Sequence, residues 1–330
     1  VEKLGIAITG SGSAVPKSSL TNQAMSEVVE TSDEWIATRT GIRQRRLALP
    51  SESLTMLATA AASQAIASAG IKATDLDLIL LATSTPDDLF GSACQIQAEL
   101  GAKNAVAFDL TAACSGFVFG LVTAAQYIKT GVYQNVLLIG ADILSRWVDW
   151  QDRRTCVLFG DGAGAVVLQA NQSDRLLGFS LKSDGTQNRY LNLAYAPSAQ
   201  ELLPDVNITK GTYQPITMNG KEVYRFAVQK VPEIIDKALF QANLTVDQID
   251  WLVLHQANQR IIDSVAQRLN IPENKVISNL ANYGNTSAAS IPLALDEAVR
   301  QGKIKPNDII AASGFGAGLT WGAAIFQWGR

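Results

Sequence analysis

Short apolar runs alternate with longer helical patterns along these 330 residues. The runs at 4–10 (LGIAITG), 76–83 (LDLILLAT), 105–111 (AVAFDLT), 135–142 (NVLLIGAD) and 156–170 (CVLFGDGAGAVVLQA) are nearly continuous in apolar character. That predicts strands covered on both faces. Residues 54–70 and 115–131 instead repeat apolar positions at helical spacing. Strands separated by helices argue for an α/β fold with buried, largely parallel sheets and helices on their faces.

The second half restates the order of the first. Residues 76–83 lead to a Cys-centred turn at 111–116, a long helix and the strand at 135–142. Residues 249–255 lead to an Asn-centred turn at 282–287, a helix at 287–301 and a strand at 308–313. The pattern predicts two similar halves, 1–175 and 176–330, packed face to face with a cleft between them. Residues 171–215 are polar and rich in turn formers, which predicts a linker with an irregular excursion, and 219–242 returns to helix.

Composition narrows the class. Apolar residues make up 47% and charged residues 17%, a balance that calls for a large buried interior and a buried subunit interface. The formal net charge of -3 argues against a nucleic-acid partner. One basic concentration, Arg39, Arg43, Arg45 and Arg46, is too short for a nucleic-acid footprint. It suits a phosphate-bearing cofactor or an acidic carrier protein, or simply a solvated charge run. No stretch of 18 apolar residues would span a membrane. The opening VEKLGIAITGSGSAVP lacks the basic region and long apolar core of a signal peptide. Three cysteines and one histidine make neither a disulfide scaffold nor a common zinc site. A soluble protein of a reducing compartment, cytoplasmic and without a metal, is the expectation.

The candidate chemistry rests on three positions. His255 is the only histidine and closes the run WLVLH, where strand ends of open α/β sheets carry ligands. Cys114 lies between Ala112–Ala113 and Ser115–Gly116 at a helix start. Orphan N–H groups and the helix dipole there would lower its pKa and populate the thiolate. Asn285 sits in a similar setting, YGNTSAAS, where a plain helix cap is the other reading. A small buried Cys and a structural His are likewise the bland alternatives. Cys94, with helix on both sides, and Cys156, in a strand-like run, read as core. SGFGAGLTWG (313–322) can offer backbone N–H groups to an oxyanion or merely permit tight turns. GDGAGAV (160–166) lies inside a strand-like run without an acidic residue at the required offset, which excludes a nicotinamide site.

Six motifs in order, TSDEWIATRTGIRQRR (31–46), the Cys114 turn, FGDGAGAV, HQAN (255–258), GNTSAAS (284–290) and GFGAGLTWG (314–322), closely resemble the initiating condensing enzymes of type II fatty acid synthesis. These are the β-ketoacyl-acyl carrier protein synthase III family of the thiolase superfamily. The resemblance covers essentially the whole chain. It implies a thiolase-like duplicated five-layer αβαβα fold and a homodimer. It implies a catalytic triad of Cys114, His255 and Asn285, with an oxyanion hole from the N–H groups of Cys114 and Ala317. Coenzyme A would meet Trp35, Arg39, Arg153 and Asn258. No cofactor is bound permanently; the coenzyme A thioester is a substrate. An acidic acyl carrier protein in its malonyl form would dock on Arg43, Arg225, Gln256, Arg260 and Arg268. The implied reaction is condensation of acetyl-CoA with malonyl-carrier to acetoacetyl-carrier, CoA and CO2. Leu89, with Phe90 beside it, stands where acetyl-specific members present an aromatic residue to the acyl pocket across the dimer interface, and Ala317 replaces a glycine. A related enzyme using other acyl-CoA starters in polyketide or quinolone synthesis is the alternative reading. A non-catalytic carrier-binding protein is a remote one. A thiolase proper would need a second cysteine within 313–322, and none is there.

Overall fold

The computed structural model describes residues 4–329. In chain order the first half supplies β1 (Gly5–Ala14), α1 (Asp33–Thr40), α2 (Leu54–Ala69), β2 (Leu78–Ala82), α3 (Ala93–Leu100), β3 (Val106–Leu110), α4 (Gly116–Lys129), β4 (Asn135–Ile143) and β5 (Asp161–Asn171). The second supplies β6 (Leu176–Ser183), α5 (Gly220–Ala242), β7 (Trp251–Leu254), α6 (Gln259–Arg268), β8 (Val276–Ile277), α7 (Ser290–Arg300), β9 (Ile309–Gly316) and β10 (Thr320–Gln327).

The two five-stranded sheets have one topology. The first runs β1-β5-β4-β2-β3 and the second β6-β10-β9-β7-β8. In each, the last three strands are parallel and the first three pair antiparallel. The sheets are therefore mixed, not largely parallel. A tight turn between β9 and β10 can join only antiparallel neighbours.

Packing gives five layers. Apolar residues of α2 and α3 cover the outer face of the first sheet. Those of α4 and α7 fill the space between the sheets, and those of α5 and α6 cover the outer face of the second. This is the duplicated αβαβα arrangement. Local sequence explains the outer contact. Ser53 caps α2 by accepting from the Met56 N–H, and Gly70, at φ +68°, ends it. Its alanines 58, 61, 62 and 65 form a small buried stripe. Gly10 and Gly12 of β1 have no Cβ to collide with the Ala65 and Ala61 carbonyls, so strand and helix lie unusually close.

Some local expectations change. Residues 156–158 form turns rather than strand, because Asp152 and Thr155 carbonyls take the Cys156 and Leu158 N–H groups, and Phe159 makes only an isolated bridge to Asn285. The 171–215 stretch holds β6 and a hairpin, Tyr195–Leu203 with Val206–Tyr213. Cys94 is exposed rather than core. The buried face of α3 is Ala93 and Ile96, and Cys94 turns about 100° from the first, toward the edge strand β3.

Candidate active site

Cys114 stands in a one-turn 3₁₀ segment, Ala113–Ser115, that feeds α4. Ala113 takes the left-handed conformation at φ +47°, a strained state for a residue with a Cβ. The kink is held from below. Ser115 Oγ reaches the Ala112 carbonyl at 2.7 Å and Thr320 Oγ1 at 2.8 Å, and Thr320 itself donates to the Ala112 carbonyl. Gly316, closing β9, lies on the Cys114 backbone; a Cβ there would fall 2.6 Å from the Cys114 nitrogen. The turn carrying Ala317 is thereby brought beside Cys114. The thiol is buried, and burial pushes its pKa up to about 12. Ser287, in hydrogen-bonding contact with it, opposes the rise, and the Asp142 charge adds to it. The expected lowering at a helix start is overturned, because desolvation of a thiolate outweighs the dipole here. At physiological pH Cys114 rests as a thiol.

His255 follows β7 directly, and its N–H donates to the Ser313 carbonyl of β9 at 2.8 Å. The ring is buried, edge-on to Phe315 at 5.4 Å, and Nδ1 meets Ser290 Oγ at 2.7 Å. Burial lowers its pKa to about 3, so the imidazole is neutral at physiological pH. Asn285 is fastened by backbone to residues 158–160: its N–H donates to the Leu158 carbonyl, and its carbonyl accepts from the Gly160 N–H. Its Oδ1 accepts the Ser287 N–H at 2.9 Å. That bond leaves the amide Nδ2, a donor only, as the polar end still free to act.

Cys114, His255 and Asn285 line one cavity of about 380 Å³, with Phe315, Phe159 and Leu158. Trp35, Arg39, Arg153, Asn258 and Arg260 also line it. The Trp35 ring has the Arg39 guanidinium 4.7 Å and the Arg153 guanidinium 5.1 Å from its centroid. This leaves a cationic, aromatic edge suited to a base and phosphates. Asn258 caps α6, its Oδ1 accepting the Arg260 N–H and its Nδ2 donating to the Arg39 carbonyl. Thus it ties the two sides of the entrance together.

Other expected residues fall elsewhere. Arg43 is exposed and paired to Asp33 at 2.8 Å, and Arg225 is exposed and paired to Glu222. Arg268 is exposed and donates to the Val228 carbonyl. Gln256 cannot meet a carrier protein. It is buried, donating to the Leu254 carbonyl at 2.7 Å and accepting the Asn279 N–H, and so it joins β7 to the segment after β8. Arg45 leaves the basic cluster too. It is fully buried against the Leu20 and Val157 carbonyls and Asn22, and burial lowers its pKa to about 10. Leu89 and Phe90 are highly exposed and line a separate groove with Cys94 and Phe108, away from Cys114 within one chain. Asp142 escaped the sequence reading, and Ser287 and Ser290 of GNTSAAS and Gly316 of GFGAGLTWG were legible only as members of those motifs, with no role of their own. Each acts on one of the three candidate residues through a contact or a charge.

A kinked cysteine, a neutral histidine and an oriented asparagine between two duplicated αβ halves define a condensing enzyme of the thiolase superfamily. Residues 108–185 match the family described as 3-oxoacyl-[acyl-carrier-protein (ACP)] synthase III, and residues 239–328 match its C-terminal family. The chain is 84% identical to beta-ketoacyl-[acyl-carrier-protein] synthase III of Trichormus variabilis, with both chains covered completely. It superposes on the crystal structure of 3-oxoacyl-[acyl-carrier-protein] synthase III from Aquifex aeolicus with a TM-score of 0.90 at 44% identity, covering 98% of this chain and 100% of that one. The priming beta-ketosynthase of the R1128 polyketide pathway superposes equally well, TM-score 0.90 at 35% identity over 100% of this chain and 98% of that one. The chain belongs to the 3-oxoacyl-[acyl-carrier-protein] synthase III family.

Proposed function

We propose that the chain joins acetyl-CoA to malonyl-acyl carrier protein, giving acetoacetyl-carrier, CoA and CO2. The carrying observation is that Cys114, His255 and Asn285 share one cavity whose mouth is edged by Trp35, Arg39 and Arg153. Cys114 Sγ attacks the thioester carbon, and its proton leaves on the departing CoA sulfur. The N–H groups of Cys114 and Ala317 hold the oxyanion, at roughly 3–4 kcal/mol per donor. In the second half-reaction the malonyl C–C bond breaks, CO2 departs, and the electron pair becomes an enolate. Decarboxylation needs no base. It needs hydrogen bonds to the enolate oxygen, which neutral His255 and the Asn285 amide can donate. An aspartate in place of Asn285 would repel that oxygen. The carbanion then attacks the acyl carbon, and Cys114 leaves as the thiolate and takes a proton from solvent to restore the thiol. One covalent intermediate shared by two half-reactions gives ping-pong kinetics.

Trp35, Arg39, Arg153 and Asn258 are the proposed coenzyme A contacts, and Arg43, Arg225, Arg260 and Arg268 the carrier contacts. Exposed Leu89, Phe90, Val106 and Phe108 around the edge strand β3 support a homodimer interface, across which Leu89 and Phe90 would reach the partner's acyl pocket. The division at 1–175 and 176–330 is supported by one sheet lying in each span. The substrates would place the work in the cytoplasm; among the described residues no helix is long and apolar enough to cross a membrane.

A second reading keeps the chemistry and changes the starter. Leu89 at the proposed acyl pocket and the likeness to a priming polyketide ketosynthase favour it. Intact mass after exposure to acetyl-, branched and octanoyl-CoA decides. Acetyl loading alone supports the first reading, and longer acyl groups the second. No loading at all refutes both.

A further inference from the structure

The strand registers set His255 and Ser290 at positions that Ala82 and Gly116 hold in the first half. Leu78–Ala82 pairs with Val136–Gly140, and Trp251–Leu254 pairs with Ile310–Ser313. One residue further on, His255 therefore matches Ala82. Ala113 and Ser287 open equivalent turns at φ +47° and +51°, so the helix starts Gly116 and Ser290 match as well. In the first half the two positions meet without chemistry: a Cβ on Gly116 would lie 3.2 Å from the Ala82 Cβ. In the second half the same contact is a 2.7 Å hydrogen bond between His255 Nδ1 and Ser290 Oγ. An apolar pair in one half is a polar pair in the other, so the serine and the histidine form a unit.

We propose that Ser290 is the positioning residue that fixes the His255 ring as its Nε2–H tautomer, and so makes it a hydrogen-bond donor toward the cavity. A serine hydroxyl has one proton and two lone pairs. The Gln256 N–H already donates into Ser290 Oγ at 3.3 Å. Among the described residues, Nδ1 is the acceptor within reach of the hydroxyl proton. Were Nδ1 protonated, it would also donate into Oγ, and the hydroxyl proton would be buried without an acceptor. Ser290 is 1% exposed, so water offers no ready substitute. A buried unpaired donor disfavours that tautomer by roughly tenfold or more. The same short segment orients the other donor, because the Ser287 N–H takes Asn285 Oδ1. One helix start thus turns two side chains, each able to accept, into donors.

The catalytic meaning of this tautomer rests on the proposed decarboxylation, but the tautomer itself does not. His255 is the only histidine, so a ¹⁵N-labelled sample has one pair of imidazole nitrogens to observe. Two-bond ¹⁵N–¹H correlation at neutral pH should find Nε2 protonated and Nδ1 bare. In Ser290→Ala the ring should lose its single tautomer. Turnover with malonyl-carrier should fall about tenfold at unchanged KM, which corresponds to one decade of transition-state stabilisation. Acetyl loading of Cys114 should persist, and Ser290→Thr should restore ring and turnover. A proton on Nδ1 in the parent protein overturns the assignment. So does a Ser290→Ala variant whose ring spectrum and turnover both match the parent. If the parent loads no acyl group, the proposed function fails while the ring spectrum still decides the tautomer.

Discussion

Replacing His255 with asparagine should flatten the acid side of the stability profile. Burial holds the folded imidazole at a pKa of about 3, against 6.5 for the ordinary group. A group depressed in this way contributes in full above its unfolded pKa, and the contribution is lost as pH falls below it. Between pH 7.5 and 5.5 the unfolded chain takes up nearly one proton at this position and the folded chain takes up none. The loss is roughly 1–1.5 kcal/mol, and it hardly depends on the folded value once that lies below about 4.5. Two buried carboxyls, Asp142 and Asp161, are raised by burial and work in the opposite sense, gaining relative stability as pH falls. They are present in parent and variant alike, so the difference between the two profiles isolates the ring. With one histidine in the chain no other imidazole contributes. Urea titrations at pH 7.5, 6.5 and 5.5 measure it. The parent midpoint should drop by up to about 0.5 M more than that of His255→Asn, for an m-value near 3 kcal/mol/M. Parallel profiles would mean that the folded ring takes up its proton as readily as the unfolded one, and the neutral donor assigned to His255 would then be untenable.

Peptide mapping after acetyl-CoA should find the acetyl group on Cys114 and not on Cys94, although Cys94 is the exposed thiol; Cys114→Ser should abolish condensation. Asn285→Asp and His255→Ala should still load acetyl on Cys114 but lose malonyl decarboxylation by about 100-fold or more, as removal of a transition-state donor does; parental decarboxylation by either variant refutes the division of labour. Arg260→Glu should raise KM for malonyl-carrier at low salt and leave acetyl transfer from acetyl-CoA less affected, since an exposed charge steers an acidic partner; an unchanged KM removes Arg260 from the docking surface. Gln256→Ala should cost roughly 1–3 kcal/mol of stability by stranding buried polar groups, with no specific rise in KM for the carrier; a raised KM without loss of stability would reverse its reassignment to the interior.

The repeated order of apolar runs made the duplication legible, because strand and helix periods survive even where identity between the halves does not. The proposed catalytic trio was legible through scarcity and context: one histidine at a strand end, and a cysteine and an asparagine at turns before helices. Charge was read less well. Arg45 looks like its neighbours in sequence but points inward, where three oxygen partners hold the guanidinium. Gln256 sits beside His255 in sequence, yet it is buried and held by the Leu254 carbonyl and the Asn279 N–H. Cys114 was misread in its ionisation, since a local motif reports the helix start and not the apolar packing that desolvates it. Ser290 carries no signal alone. Its signal lies in the comparison of the halves, where a serine replaces a glycine at the position facing the histidine.

The same comparison explains why only one of two equivalent turns is fitted for the proposed reaction. Ala288 is the counterpart of Cys114, and its N–H is taken by Asp142 Oδ2 at 3.2 Å. Asp142 lies two residues beyond Gly140 on β4, and Gly316 lies two beyond Gly314 on β9; the registers make these positions equivalent. Each glycine of the first pair lets the turn of the opposite half settle on its strand: Gly140 faces the Ala288 carbonyl, and Gly314 faces Ser115 and the Cys114 carbonyl. The turns are therefore seated alike and differ in what meets their N–H groups. On one side a carboxylate accepts the bond and draws further donors from Thr83, Ser84 and Thr85. On the other side the residue is Gly316, which has no side chain to accept anything. In the proposed reaction the Cys114 N–H must bind a developing oxyanion, and a carboxylate in that place would both occupy the donor and repel the charge. The second half thus leaves the Cys114 N–H uncapped by lacking a side chain where its own turn is capped by one, and on the proposed mechanism this pairing of a cysteine with a bare glycine would separate a reactive turn from a structural one.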